Sequence, residues 1–249
     1  MKERKSGMTE YRKRTYRKRV NTRDLVSFHV VVKETDLWVS ADRNLEEETR
    51  DLVLTYRLQL ESYISSHHTF MTTLQPYPED PWAPPLVREM IKMTRSVGVG
   101  PIASVAGAMA QFVARDLLKS TDQIIVENGG DIFLKAERPI TVSIFAGESP
   151  LSEKIGLKIP IRLMPLGICS SSGTVGHSLS MGAADVVCIL SPSAILADGA
   201  ATSLCNLIKG KRDLEMASRR AQKIKGIFGG LAIIGDVMVT WGDVELIAL

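Results

Sequence analysis

An aspartate and a threonine four residues apart have the types and the spacing of a metal-ligand pair. Asp198 and Thr202 lie in the segment ADGAATS, and residues four apart in a helix share one face. A carboxylate and a hydroxyl on one face can both reach a hard cation such as Mg²⁺. If Asp198 opens the helix, it is also explained as an N-cap, which spacing alone favours. Asp198 is nevertheless a candidate catalytic residue and, with Thr202, a candidate metal ligand.

A loop rich in serine and glycine, SSSGTVGHS, precedes this segment in the chain. Its NH and OH groups could hold phosphate oxygens, and an ordinary polar loop explains the same composition. His177 is the only histidine in this region and the second candidate catalytic residue, although a lone histidine more often has a structural hydrogen bond. Four loop residues are candidates for cofactor binding: Ser171, Ser172, Gly173 and Thr174.

Two adjacent glycines flanked by acidic residues form a third segment, VENGGDI. Glycines at a hairpin tip accept positive φ, and that alone explains most Asn-Gly-Gly sequences. The flanking Glu127 and Asp131 support a second interpretation, because two carboxylates beside a tight backbone turn could serve a ligand hydroxyl or a metal ion. The candidate cofactor-binding residues of this segment are Asn128, Gly129, Gly130 and Asp131.

A fourth segment, GVGPIASVAGA, opens a predicted helix. Backbone NH groups at such a helix start can hold a phosphate, so Gly98, Gly100 and Ser104 are candidate cofactor-binding residues. The segment lacks both the complete GxGxxG spacing after a strand and the lysine of GxxxxGK[ST]. A Gly-x-Gly-Pro sequence is also an ordinary turn with proline at the first helical position, and the motif alone favours that turn.

The residues around these segments predict the strands and helices that position them. Alternating and β-branched runs predict strands, and apolar residues at helical spacing after Asn44 predict a helix with an acidic first turn. Five prolines between residues 75 and 85 predict an irregular crossing. Small residues predict that one face of the helix from Pro101 approaches a backbone closely. The predicted elements of the first half are strands at 25–32, 37–40, 124–126, 132–135 and 141–145, and helices from Asn44, at 86–96 and from Pro101.

The second half of the chain repeats this order of elements. A strand at 185–190 precedes a helix from Asp198 and a charged helix at 213–225, and strands at 231–234 and 237–241 follow. Two copies of a helix followed by a hairpin suggest an ancient duplication. The expected fold class is therefore α+β, with mainly antiparallel sheets.

Composition and charge narrow the function classes. The chain has 249 residues, 45% hydrophobic and 24% charged, which excludes disorder, collagen and coiled coil. Residues 1–19 carry nine basic and two acidic side chains. Such an arm could bind nucleic acid, but a solvated tail that leads into an edge strand is preferred, since no nucleic-acid fold signature accompanies it.

The lack of an expected export signal predicts a cytoplasmic protein, and the cysteine spacing predicts reduced thiols. The basic start has no apolar h-region, so no export signal is expected. Glycine, serine and glutamine interrupt the apolar stretch at 97–114, which argues against a membrane span. Cys169, Cys188 and Cys205 have no CxxC spacing, so we expect reduced, buried thiols.

The chain resembles the ApbE-related proteins, and most closely an uncharacterised branch of that superfamily. The resemblance rests on the four segments in their order along the chain: GVGPIASVAGA, VENGGDI, SSSGTVGHS and ADGAATS. The resemblance extends over nearly the whole chain, from residue 16 to residue 243. The better-known members are flavin transferases, which use Mg²⁺ to cleave FAD and attach FMN to a threonine of a target protein. The charge count sets off a basic arm at 1–19, and the resemblance implies one ApbE-like domain at 20–249, with tandem T-fold-like halves and a ligand cleft between them.

The resemblance also implies roles for individual residues. Asp198 and Thr202 match the family's D-x-x-x-T metal pair, which reverses the preference for an N-cap. The glycines and aspartate of VENGGDI match a segment near the nucleotide. Residues 171–173 match a Thr-Ser-Gly loop.

Departures from the family pattern bear on the reaction. Ser104 stands where flavin transferases carry a lysine, and their His-Ile-x-Asp-Pro-x-Thr-Gly segment survives only partly at 177–182. Many flavin transferases are exported, whereas no export signal is found here. The leading hypothesis is therefore a cytoplasmic, Mg²⁺-dependent enzyme or binder of a phosphate-bearing cofactor, a flavin nucleotide being one candidate. The alternatives are FMN transfer from FAD and a non-enzymatic interaction protein that uses the basic arm; exposed hairpin edges suggest a homodimer.

Overall fold

The computed structural model describes residues 24–173 and 182–249, and antiparallel β-structure forms its centre. Eight strands form one large sheet in the order β1-β2-β3-β4-β7-β8-β9-β10, and three form a small sheet in the order β11-β6-β5. The strands are β1 (Val26–Val32), β2 (Thr35–Ala41), β3 (Ile124–Asn128), β4 (Asp131–Lys135), β5 (Ile140–Ser143), β6 (Ile155–Ile159), β7 (Leu166–Ser171), β8 (Val186–Ser191), β9 (Gly229–Ile234), β10 (Val237–Gly242) and β11 (Leu246–Ala248).

Six α-helices and the small sheet cover opposite faces of the large sheet. Side chains alternate along each strand: Val126 and Phe133 pack in the core beneath the helices, and Ile125 and Ile132 pack in the core beneath the small sheet. The predicted α+β class with antiparallel sheets is confirmed. The helices are α1 (Glu46–Ser66), α2 (His68–Thr72), α3 (Pro85–Val97), α4 (Val105–Leu117), α5 (Ala194–Leu207) and α6 (Leu214–Ala221), and 3-10 turns lie at Pro101–Ser104, Ile161–Leu163 and Lys211–Asp213.

The same sequence of elements occurs on each side of the β4-β7 neighbours. Strands β1 and β2 are followed by α1 to α4 and then by β3 and β4, while β7 and β8 are followed by α5 and α6 and then by β9 and β10. Two expectations stay predictions. One is a ligand cleft between the two halves, and the other is the division of the chain into an arm at 1–19 and a domain at 20–249. The arm lies outside the described residues.

The helix that carries the predicted metal pair begins earlier than predicted. Helix α5 starts at Ala194, and the Ser193 hydroxyl accepts a hydrogen bond from the backbone NH of Leu196 as its N-cap. The prediction of a helix start at Asp198 is therefore wrong, because Ser193 supplies the cap five residues before Asp198. Asp198 lies in the second turn of α5 and does not cap it.

Other predicted features agree with the structure within a few residues. Asn44 accepts a hydrogen bond from the backbone NH of Glu46 at 2.9 Å, one residue before the N-cap position of α1. All three cysteines are buried and none is in a disulfide, as predicted. Within the described ranges, no single helix has the length and hydropathy of a membrane span; only Pro85–Val97 and Pro101–Leu117 together, bent by 102°, reach them.

Candidate functional site

Helices α4 and α5 touch where Asp198 meets the first turn of α4. The backbone NH of Gly107 donates to Asp198 Oδ2 at 2.9 Å. Gly107 is the third residue of α4, where helical NH groups have no partner within the helix. A carboxylate at this end of α4 is also favoured by the helix dipole. Asp198 therefore stabilises the start of α4.

Gly107 allows this approach because it has no side chain. A Cβ at Gly107 would lie 2.5 Å from the backbone oxygen of Ala194 and 2.9 Å from the Asp198 Cβ. Neither distance is compatible with an unperturbed side chain. The small-residue face predicted for this helix thus packs directly against the backbone of α5.

Asp131 brings a second carboxylate to the same face of the large sheet. It is the first residue of β4, and its Oδ1 accepts a hydrogen bond from the backbone NH of Ser170 on β7 at 3.0 Å. The preceding Gly129 and Gly130 have φ values of +66° and +106°, so the turn requires glycine, as the sequence predicts. Asp131 is only 7% exposed.

Glu127, the other carboxylate of this segment, has a different position. In the register of β3 and β4, Glu127 lies opposite Ile132 and Asn128 lies opposite Asp131, so Glu127 and Asp131 belong to opposite faces of the sheet. Glu127 Oε1 accepts a hydrogen bond from the backbone NH of Gly130 at 2.7 Å. The structure therefore uses Glu127 to hold the turn and places Asp131 on the side of the helices.

Burial and mutual repulsion set the electrostatics of this region. Burial raises the pKa of Asp131 to about 7. Hydrogen bonds from the Ser170 NH and the Cys169 thiol stabilise the charged form and partly oppose this rise. Burial and then the charge of Asp131 raise the pKa of Asp198 well above its ordinary value, while the Gly107 NH opposes this shift. Burial and the two carboxylates also raise the pKa of Cys169. No described lysine, arginine or histidine forms an ion pair with either aspartate.

Thr202 lies one turn beyond Asp198 on α5, and each of the two residues is 8% exposed. Carboxylate and hydroxyl oxygens are the ligand types that suit Mg²⁺, which typically takes one or two protein carboxylates and fills its other positions with water and phosphate oxygens. In residues 24–173 and 182–249, no group of three or more His, Cys, Asp or Glu side chains could hold a metal ion. The residues present fit a Mg²⁺ ion that shares its coordination with a phosphate better than a fully protein-enclosed metal.

The glycine-rich start of α4 has a structural role in this conformation. Gly98 ends α3 in the left-handed region with φ +77°, and its NH donates to the backbone oxygen of Arg95. Gly100 donates its NH to the backbone oxygen of Leu74 at 3.0 Å, and Ser104 is fully buried with its hydroxyl bonded to Pro101. Each of these donors is thus paired with a backbone oxygen of the protein, as expected of a helix-start turn.

Only part of the predicted serine and glycine loop is described. Ser171 ends β7, and its buried Oγ has no hydrogen-bond partner among the described residues. Ser172 and Gly173 follow it, and a Cβ at Gly173 would lie 2.0 Å from the backbone oxygen of Gly182, so Gly173 and Gly182 lie in contact. Thr174 and His177 fall outside the described residues, as does most of the partly retained His-Ile-x-Asp-Pro segment.

A cavity that the sequence did not predict opens beside the start of α4. Its volume is about 530 Å³. Within it, Arg57 is mostly buried and donates to Thr35 Oγ1 at 2.7 Å and to Glu34 and Glu61. The apolar lining residues are Leu60, Ile64, Met71, Ile102, Val105 and Met109, and the polar ones are Lys33, Glu34, Thr35, Arg57, Glu61 and Ser65.

Three consecutive residues of α4 connect the cavity with the carboxylates. Val105 lines the cavity, the backbone oxygen of Ala106 accepts a hydrogen bond from the Asn128 side chain at 3.2 Å, and Gly107 binds Asp198. The first turn of α4 thus joins the cavity, the glycine turn and the predicted metal pair.

Comparison with known proteins now identifies the family. A sequence model of the family described as AbpE bacteria matches residues 17–239. The chain belongs to this ApbE-like family. The UPF0280 protein of Methanocella arvoryzae is 39% identical over 212 residues, covering 85% of this chain and 86% of that protein. The UPF0280 protein of Methanosarcina barkeri is 37% identical over 219 residues, covering 87% and 86%.

Solved structures resemble the ApbE-like chain in fold. The flavinyl transferase ApbE of Pseudomonas stutzeri, in its apo form, has a TM-score of 0.58 at 16% identity, covering 87% of this chain and 94% of that chain. The flavin transferase ApbE of Vibrio cholerae has a TM-score of 0.56 at 13% identity, covering 87% and 96%. At these identities the likeness establishes the fold of the ApbE-like chain.

Proposed function

We propose that this ApbE-like chain binds a phosphate-bearing nucleotide cofactor together with Mg²⁺ where α4, α5 and β4 meet, and that the cofactor is a flavin nucleotide. The observation that carries the proposal is the pair of buried aspartates, Asp131 and Asp198, which repel each other and have no described basic partner. Burying two carboxylates in this way is costly unless a cation offsets their charge. A divalent cation beside them would offset it.

Asp198 and Thr202 on α5 are the residues that would hold the metal ion. Asp131, at the start of β4, would add a second negative charge. When bound, Mg²⁺ neutralises phosphate oxygens and polarises a phosphoryl group. The Gly107 NH fixes one oxygen of Asp198 at 2.9 Å, so the orientation of this carboxylate is set by α4 before any ligand arrives. Such preorganisation lowers the cost of binding.

The cavity beside Val105 would take the apolar ring system of the cofactor. Its volume of about 530 Å³ lies within the range of pockets that bind small molecules. Half of its lining residues are apolar, among them Ile102, Val105 and Met109 at the start of α4. Asp198 binds the Gly107 NH in the same turn of α4, so a cofactor with its ring in the cavity would extend its phosphate around the start of α4 to reach the carboxylates.

Thermal-shift titrations with FAD, FMN and ADP, each with and without Mg²⁺, test the proposal, because a ligand that binds only the native state raises its melting temperature. We expect a Mg²⁺-dependent shift with a flavin nucleotide. Asp198→Asn and Thr202→Val should abolish the Mg²⁺ dependence, while Thr202→Ser should retain it. Asp116→Asn, at the other end of α4, is the matched control and should retain the Mg²⁺-dependent shift of the wild type. An unchanged Mg²⁺-dependent shift in Asp198→Asn would refute the proposal.

FMN transfer to a protein threonine is the second candidate function, and the likeness in fold to two flavin transferases favours it. In that reaction the threonine oxygen bonds to the FMN phosphorus, the pyrophosphate bond of FAD breaks, and AMP leaves. Ser104 argues against it, since it stands in place of the transferase lysine and is fully buried. Incubation with FAD, Mg²⁺ and threonine-containing acceptors, followed by mass spectrometry for covalent FMN, tests this function. We also propose that the protein is cytoplasmic and forms a homodimer.

A further inference from the structure

Positive charge is concentrated on the surface around α6. Residues 209–225 carry seven basic and two acidic side chains, whereas the other described residues carry 14 basic and 24 acidic ones. All seven basic residues are exposed. This α6 basic surface consists of Lys209, Lys211, Arg212, Arg219, Arg220, Lys223 and Lys225.

Helix α6 separates its apolar side from this surface. Its buried residues are Leu214, Ala217, Ser218 and Ala221, and their spacing of three and four defines the side that packs on the protein. Among the described residues, Lys211 pairs with Asp236 at 2.6 Å and Arg219 with Glu215 at 4.0 Å. Four members of the surface form no ion pair with a described carboxylate: Arg212, Arg220, Lys223 and Lys225.

The side chains within the surface favour a protein partner over a nucleic acid. Met216 is 50% exposed and lies four residues from both Arg212 and Arg220, so an apolar contact is available among the positive charges. Residues 209–225 contain no aromatic side chain on which a base could stack. Asp213 and Glu215 lie among the basic residues, and their carboxylates would repel a continuous phosphate backbone.

The α6 basic surface begins beside the border of the candidate site. The backbone NH of Ala183 donates to the backbone oxygen of Ile208 at 2.7 Å, and a Cβ at Gly182 would lie 2.0 Å from the backbone oxygen of Cys205. Lys209 is the next residue after Ile208. A partner on this surface would therefore lie next to Gly182 and Ala183.

We infer that the α6 basic surface binds an acidic segment of a partner protein, in which carboxylate side chains flank an apolar one. The carboxylates pair with Arg212, Arg220, Lys223 and Lys225 of the α6 basic surface, and the apolar side chain packs on Met216. Charge complementarity of this kind sets partner choice and association rate. The inference does not depend on which cofactor occupies the candidate site.

Fluorescence anisotropy of a labelled glutamate-rich peptide with one central leucine, titrated with the full chain at low ionic strength, tests the inference. The double variant Arg220→Glu/Lys223→Glu reverses two unpaired charges of the surface. The matched control is Lys92→Glu/Arg95→Glu on α3, which also reverses one lysine and one arginine three residues apart and exposed. A third variant, Met216→Gln, tests the apolar contact with peptides that contain or lack the leucine.

We expect the α6 double variant to weaken peptide binding about tenfold or more and the α3 double variant to change it less than about twofold. Met216→Gln should weaken binding of the leucine-containing peptide alone. If the two double variants lose peptide affinity equally, the affinity comes from the net charge of the protein, and the inference is overturned. No binding by the wild-type chain, or tighter binding of a single-stranded DNA of equal charge through the same α6 residues, would also overturn it.

Discussion

The backbone NH of Gly107 binds the carboxylate of Asp198 across 91 residues of sequence. This hydrogen bond gives Asp198 a structural function at the start of α4 in addition to its proposed function as a metal ligand. It also makes the geometry of the metal pair depend on how closely α4 and α5 pack. Changes on either helix are therefore expected to affect both stability and ligand binding.

Gly107→Ala should destabilise the protein by about 1–3 kcal/mol through overpacking. The added methyl group would lie 2.5 Å from the Ala194 oxygen, so α4 and α5 must separate. Urea unfolding measures the loss. Gly210→Ala is the control, since Gly210 has an extended φ of −174° and open space around its Cβ position. A Gly107→Ala protein as stable as wild type would show that the two helices do not pack this closely.

Asp131→Asn should make the protein more stable than wild type at about pH 8 and should change its stability little at about pH 4. The pKa of Asp131 is raised to about 7 in the folded protein, so the wild type loses stability as the pH rises from the unfolded value of about 4 through 7. Asparagine cannot ionise and can still accept the Ser170 NH. Thermal unfolding against pH, with a chelator present to remove divalent cations, measures the difference.

Asp42→Asn is the contrasting variant for that pH series. The pKa of Asp42 is lowered by hydrogen bonds from Thr121, Asp122 and Gln123, which outweigh the effect of burial. Its ionised form therefore stabilises the fold, and this stabilisation is lost as the pH falls through the lowered pKa. We expect Asp42→Asn to reduce stability at neutral pH. If Asp131→Asn lowers stability at about pH 8, as Asp42→Asn is expected to do, the electrostatic account of Asp131 is wrong.

Val105→Trp should reduce flavin-nucleotide affinity at least about tenfold by filling the cavity beside α4. Val105 lines that cavity, whereas the NH that binds Asp198 belongs to Gly107, so Mg²⁺ binding in the absence of nucleotide should be retained. Calorimetric titration with nucleotide and with Mg²⁺ alone separates the two effects. Leu54→Trp, at an exposed position of α1, is the control. Undiminished nucleotide binding in Val105→Trp would place the ring elsewhere.

The three cysteines should be unreactive in the native protein and fully reactive after unfolding. Cys169, Cys188 and Cys205 are buried, and burial raises the pKa values of Cys169 and Cys188, so few thiolates are available to react. A thiol-specific disulfide reagent, added with and without urea, counts the accessible thiols. Rapid reaction of one thiol in the native state would contradict the packing of α5 against β7 and β8.

Local patterns account for the parts of the fold that were predicted. The hairpin of β3 and β4 follows from two apolar strands joined by two glycines, and the irregular segment before α3 follows from its prolines. The start of α5 was missed because Asp198-Gly199 looks like a helix start, whereas Ser193 after Pro192 supplies the actual cap. Strands β6, β7 and β11 were not predicted, and β11 has only three residues.

The candidate site was only partly predictable for a different reason. Its motifs are local in sequence, but the contacts between them are not: Asp198 binds Gly107, and Asp131 binds Ser170 across 39 residues. The cavity was missed because its lining residues are spread from Lys33 to Met109 and form no motif. Arg57 followed by Glu61 one turn later resembles an ordinary surface ion pair, and nothing in the sequence indicates that Arg57 is mostly buried.

The pairing of β4 with β7 joins the first four strands of the large sheet to the last four through only three residue pairs, Ile132 to Ile168, Phe133 to Gly167 and Leu134 to Leu166. Asp131 extends this short seam by one hydrogen bond to Ser170, and the proposed cofactor would bind against the same place. Occupancy of the site would then hold the two sets of strands together and slow their local opening. In cells, the amount of this protein should follow the supply of its cofactor, because the empty form would be the better substrate for proteases.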